Sequence, residues 1–114
     1  MGDCLFCKIA ARQIPAQIVR EDERILAFDD IRPQAPVHTL IIPKAHYASL
    51  NDVPAGQGDL LAHILLQARE IARAKGIDKT GYRIVLNTAR DSGQEVFHLH
   101  FHILGGRRMT WPPG

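Results

Sequence analysis

Cysteine is scarce in this 114-residue chain: Cys4 and Cys7 are the only two. Two thiols three residues apart are too few and too close for the disulfide framework of a small secreted domain. An excess of charge of one sign is also lacking. Fourteen Lys and Arg against twelve Asp and Glu leave a formal net charge of +2 with histidine neutral. The nearest approach to a basic stripe, Arg107-Arg108, is too short to track a phosphate backbone, so nucleic acid is not expected as a partner. No run approaches the length of a membrane span, and no basic segment leads into an apolar one at the start, so a cytoplasmic location without a membrane partner is expected. Met1-Gly2 does not open a myristoylation signal, because Phe6 stands where Ser or Thr is required. Internal repeats and low-complexity segments are missing too.

What remains, at 46% hydrophobic residues, suits one globular domain over 1–114 with a real core. Cys4 to Arg12 reads as a short helix, capped by Asp3 and ended by Pro15. Ala16–Arg20 and Ile25–Asp29 form a hairpin around the polar turn Glu21–Arg24. Pro33 and Pro36 rule out a helix or central strand and make Asp30–Pro36 a fixed loop, the kind of segment on which binding residues sit. His38–Pro43 is an apolar strand suited to the centre of a sheet. Leu60, Leu61, Ile64, Leu65, Ala68, Ile71 and Ala72 recur at helical spacing, so a long packing helix is expected from about Gly56 to Lys75, with Gly76 ending it. Tyr82–Asn87 is a further strand, and Thr88–Glu95 a polar loop. The pattern predicts an α+β domain: a largely antiparallel five-stranded sheet, one long helix and a short N-terminal one.

The chemistry concentrates in His98-Leu99-His100-Phe101-His102-Ile103-Leu104. In a strand the three histidines share one face, with Leu99, Phe101 and Ile103 on the other. In a helix they would spread over roughly 200°, with no shared face. Imidazole ionises near neutral pH, so such a row offers a nucleophile, an acid and a base. The middle ring is the natural nucleophile toward phosphorus, and its neighbours can hydrogen-bond the phosphate oxygens. Histidine rows also bind zinc, and on residue types alone both readings stand. Cys4-x-x-Cys7 is half of a tetrahedral zinc site that two histidines would complete. Taken singly, Phe6, Ile9 and Phe28 read as core, Asp30 as a turn former, and His63 as a surface or satisfied histidine.

The His-φ-His-φ-His-φ-φ run, the loop Asp30–His38, and the ending Gly105-Gly106 with Trp111-Pro112-Pro113-Gly114 resemble the histidine triad (HIT) family of nucleotide hydrolases and transferases, and its Hint branch most. The likeness extends from Cys4 to Gly114. It implies the HIT fold as a homodimer and cleavage of the P–N bond of purine nucleoside 5′-phosphoramidates, with aminoacyl-adenylates as further substrates. His100 becomes the nucleophile that forms a nucleotidyl-histidine. His98 and His102 contact the phosphate, and His38 orients His100. Asn87, Gly93, Gln94, Glu95 and Val96 approach the phosphate, Val96 through its backbone. Asp30 takes the ribose hydroxyls, and Leu5, Phe6, Ile9, Phe28 and Ile31 form the purine pocket. Trp111 reaches toward the partner protomer's site.

One residue departs from the pattern. Glu95 stands where animal members of the branch carry Ser, and a carboxylate there repels an anion unless it turns away or meets the leaving amine. Catalysis needs no cofactor on this reading. Resemblance to bacterial members implies a structural zinc on Cys4, Cys7, His46 and His98, which would leave His98 less free to act on phosphate. A dinucleoside polyphosphate hydrolase or nucleotidyl transferase using the same nucleophile, and a nucleotide-binding regulator without turnover, are the alternatives.

Overall fold

Alternation along the strands decides which helix covers which face of the sheet. The computed structural model describes residues 3–114; the Met1-Gly2 pair weighed above lies outside them. The elements in order are α1 (Leu5–Ala10), β1 (Ile18–Glu21), β2 (Ile25–Asp29), β3 (Val37–Pro43), α2 (Gly58–Ala74), β4 (Tyr82–Val85) and β5 (Phe101–Gly105). The five strands make one sheet in the order β1-β2-β3-β5-β4, with every neighbouring pair antiparallel. This is the α+β architecture expected, with β5 inserted between β3 and β4.

On one face, Ile25 and Ala27 of β2, Ile41 of β3 and Phe101 and Ile103 of β5 pack against Leu60, Ile64, Ala68, Ile71 and Ala72 of α2. Each fully buried aliphatic side chain there contributes roughly 1.5–3 kcal/mol. The other face carries the odd-man positions of the same strands, Leu26, Phe28, Leu40 and Ile42, and α1 lays Phe6 and Ile9 on them. His38 and His102 belong to this second face, because Leu40 pairs directly with His102 and His38 lies two residues before Leu40. The thin α1 covers only part of that face. The uncovered part is where the histidines are.

Several ends move relative to the sequence reading. Cys4, not Asp3, caps α1, its sulfur accepting from the Cys7 N–H at 3.3 Å. The helix stops at Ala10, and Arg12 takes φ +64° well before Pro15. β4 ends at Val85 rather than Asn87. α2 begins at Gly58, after a single 3-10 turn over Ala55–Gln57. Gly76 does end it, at φ +73°, with Gly76 N–H on the Arg73 carbonyl and Ile77 N–H on the Ala72 carbonyl, a Schellman closure that only a residue at ease with positive φ makes cheaply. His63 is satisfied by Asp22, Nε2 to Oδ2 at 2.6 Å, which ties α2 to the β1–β2 turn.

The histidine row is only partly strand. β5 starts at Phe101, so His98 and His100 precede the ladder. Continuing the β3–β5 register would set Leu99 opposite Pro43. Pro43 has no N–H to give, its carbonyl is taken by the His98 ring, and Leu99 N–H bonds the Tyr47 carbonyl instead. Pairing ends there, which frees the two residues ahead of β5 to turn independently.

β5 is closed by Gly106, at φ +88°, where an added Cβ would stand 2.8 Å from Cβ of Pro36. Gly106→Ala is expected to cost about 1–3 kcal/mol through combined backbone strain and contact with a rigid ring. Urea unfolding checks this; a value within about 0.5 kcal/mol of wild type would mean the loop yields freely.

Candidate active site

A cavity of about 440 Å³ opens on the α1 face of the sheet. β3 and β5 supply His38, Leu40 and His102, and His100 lies just ahead of β5. α1 gives Phe6, the loop after β2 gives Asp30, Arg32 and Gln34, and the segment after β4 gives Asn87, Gly93, Glu95 and Val96. Gln94 fixes that last segment. Buried, it accepts from Ala89 N–H at 2.8 Å and donates to the carbonyls of Ala48 (2.8 Å) and Val96 (3.1 Å).

Hydrogen bonds set the tautomers of the three cavity imidazoles. His100 Nδ1 donates to the His98 carbonyl at 2.8 Å, so its Nε2 keeps a free lone pair. His38 Nδ1 accepts from Gln34 N–H at 3.0 Å, which puts the proton of neutral His38 on Nε2. That Nε2 lies 2.9 Å from His102 Nδ1, so His38 donates and His102 carries its own proton on Nε2. A lone pair on His100 and a donor on His102 result, with ring centroids 4.9 Å apart. Burial pushes all three below the usual histidine range, His102 to about 4 because His100 and His38 add to the effect; Asp30, with Oδ2 at 3.6 Å from His38 Nε2, opposes the shift. Burial costs an imidazolium its hydration, so the neutral forms are favoured.

His98 turns the other way. Fully buried, it donates from Nε2 to Pro43 O at 2.8 Å, which strips Nδ1 of its proton. Nδ1 then lies 3.3 Å from Cys4 Sγ, 3.5 Å from Cys7 Sγ and 3.1 Å from His46 Nδ1, while Cys7 Sγ lies 3.3 Å from His46 Nδ1. The four donor atoms lie within 4.8 Å of one another. Zinc bonds of about 2.0–2.3 Å imply donor separations of roughly 3.3–3.8 Å in a tetrahedron, so this set fits the ion. The chemistry of the donors agrees: two sulfurs and two imidazole nitrogens are a set that tetrahedral zinc takes. The bond to Pro43 O is also the outer-shell contact that a histidine ligand needs.

Of the residues expected at the site, the cavity gathers His38, His100, His102, Phe6, Asp30, Asn87, Gly93, Glu95 and Val96. Others fall elsewhere. Of the two places expected for His98, it takes the one beside Cys4, Cys7 and His46 and not the phosphate side, and His38 bonds His102 while the His98 carbonyl holds His100. Ile9 and Phe28 are buried behind Phe6, whose ring meets Phe28 edge-on at 5.5 Å. Gln94 braces the loop from beneath. Leu5 is exposed, Ile31 is 88% and Trp111 82% exposed, and none of the three lines the cavity within one chain. Arg32, Gln34 and Leu40 were not anticipated. Leu40 was legible as the same-face neighbour of His38, and the other two sit in the proline-fixed loop.

Fold and site together define a small α+β domain with a histidine-lined cleft, equipped for nucleophilic or acid–base chemistry. The HIT domain family model matches residues 11–109, and the chain belongs to that family. An uncharacterized HIT-like protein of Synechococcus elongatus is 52% identical over 112 residues, 98% of this chain and 97% of the relative. A HIT family hydrolase from Legionella pneumophila superposes with a TM-score of 0.96 at 59% identity, covering 98% of this chain and all of that one. A histidine triad protein from Clostridium difficile gives 0.94 at 49% identity over 96% of each chain. A histidine triad nucleotide-binding protein from Candida albicans gives 0.83 at 34%, over 96% of this chain and 83% of that one. No helix among the described residues is long and apolar enough to cross a membrane.

The tautomer assignment is open to direct measurement. Imidazole ¹⁵N spectra should show His102 as the Nε2–H form at pH 7, gaining a second proton only near pH 4. Because the unfolded chain binds that proton near pH 6.5, stability should fall as pH drops between the two values. A His102 titrating at 6.5 would contradict the buried relay.

Proposed function

We propose that this chain is a hydrolase that cleaves the P–N bond of purine nucleoside 5′-phosphoramidates through a nucleotidyl-His100 intermediate, releasing AMP or GMP. The observation that carries the reading is the His100 Nδ1 bond to the His98 carbonyl, which leaves Nε2 unprotonated in the cavity beside the Nε2–H of His102. Nε2 of His100 attacks phosphorus, the P–N bond breaks, and the amine leaves with a proton taken from solvent at the open side of the cavity. Water then attacks the same phosphorus, the P–His bond breaks, and the water's proton passes to solvent.

The cavity walls support the nucleotide's three parts. Phe6, Leu40 and Val96 offer an apolar slot for the base. Asp30 accepts from Arg32 N–H at 2.8 Å through Oδ1 and keeps acceptor capacity for the ribose hydroxyls. Val96 N–H has no partner among the described residues and is free for a phosphate oxygen. Brief mixing with adenosine 5′-phosphoramidate should give an intact mass one adenylyl group heavier, with AMP accumulating. His100→Ala should lose the adduct and about 10³-fold or more of the rate. No adduct and no AMP would overturn the reading. Faster cleavage of P–O–P than P–N substrates would favour the dinucleoside polyphosphate alternative.

On the same footing we assign a zinc ion to Cys4, Cys7, His46 and His98, where it would tie α1 to the sheet in a structural role, and a homodimer in which strands of one protomer extend the sheet of the other. β4 lies at the end of the strand order, and the neighbouring tail is held along it by Arg83 donating to the Thr110 carbonyl at 2.9 Å. Native mass spectrometry should give twice the 12.7 kDa chain mass with one zinc per chain. The Cys4→Ser variant should lose the metal and melt lower. A metal-free monomer from zinc-supplemented buffer would sink both assignments.

A further inference from the structure

The charge of the cavity does not suit a bare phosphate. One guanidinium, Arg32, stands against two carboxylates, Asp30 and Glu95, which sums to −1. The hydrogen-bond relay leaves His38 and His102 neutral, and His100 must be neutral to attack. Asp30 is engaged by Arg32 N–H and lies beside His38. Glu95 is different. Its carboxylate has no hydrogen bond or ion pair among the described residues, yet its backbone is held between buried Gln94, with three hydrogen bonds, and Val96, packed on the Phe6–Phe28 cluster. A rigid loop thus presents a free negative charge at the open side of the cavity, next to the residue that offers its N–H to phosphate.

We infer that Glu95 forms a leaving-group subsite that selects phosphoramidates whose amine carries a second, positively charged group. This rests on the phosphoramidase reading. A carboxylate beside a bound phosphate repels it unless the ligand brings a compensating cation. Next to the phosphate, the part of a nucleoside phosphoramidate that differs from one substrate to another is the leaving amine. The same charge disfavours the AMP dianion, so it also speeds product release.

Two adenosine 5′-phosphoramidates of matched length test this, one of n-hexylamine and one of 1,5-diaminopentane, on wild type, Glu95→Gln and Glu95→Lys. Wild type should favour the ammonium-ended substrate about fivefold in kcat/KM, the size expected of a solvent-accessible charge pair, and the preference should shrink with salt. Glu95→Gln should bring the ratio to about one, and Glu95→Lys should invert it. A wild-type ratio of one, or a ratio that Glu95→Gln leaves unchanged, overturns the subsite. Calorimetric binding of AMP and of its 5-aminopentyl phosphodiester needs no turnover. Glu95→Gln should tighten AMP and weaken the diester, each about fivefold, and the same response of both ligands would overturn the subsite. If neither phosphoramidate is cleaved, the reaction reading fails, and the binding pair alone decides the subsite.

Discussion

His98 is the junction on which the site depends. Its ring reaches Pro43 with one nitrogen and the Cys4, Cys7 and His46 cluster with the other, while its carbonyl holds the His100 proton. Three constraints on one buried residue leave it a single position, and His100 inherits that position. Phe6 adds a second link. Lying between the two cysteines in sequence, it meets His98 edge-on at 6.0 Å and His100 at 5.1 Å while forming the cavity wall. Disturbing the cysteine cluster therefore reaches His100 by two routes.

The second organising fact is that proton positions in the cavity are dictated from outside it. A backbone N–H of the proline-fixed loop, at Gln34, decides the tautomer of His38, which decides that of His102. Burial keeps the relay neutral. Such a site spends little reorganisation when charge develops, because the dipoles are already aligned.

Strand alternation and the α2 periodicity made the fold legible in the sequence, since both depend only on near neighbours. His100 and His102 were legible from the alternating histidine row, and His38 only through the family likeness. The turning away of His98 was not, because it depends on β3 bringing Pro43 opposite Leu99, a matter of long-range register. Leu5 and Ile31 do not line the cavity within one chain, and apolar character alone does not say which surface a side chain meets. Arg32 and Gln34 lie in a loop without periodicity, so nothing local showed that they face the cavity. Cys-x-x-Cys announced half of a donor cluster; the other half lies 39 and 91 residues beyond Cys7, and only the family likeness connected them.

Those separations also bear on how the chain acquires its structure. Cys4 and His98 are 94 residues apart, and the two cysteines at the start of α1 make their side-chain polar contacts with His98 and with His46. Contacts of that sequence separation form late, after the loop they close has been shortened by other structure. On the ribosome, the β1–β2–β3 hairpins and α2 can assemble and α1 can lay Phe6 and Ile9 on β2 and β3 while His98 is still missing. The first element made is then fastened at Cys4 and Cys7 only when the last strand's segment arrives, the same event that brings His100 to the cavity.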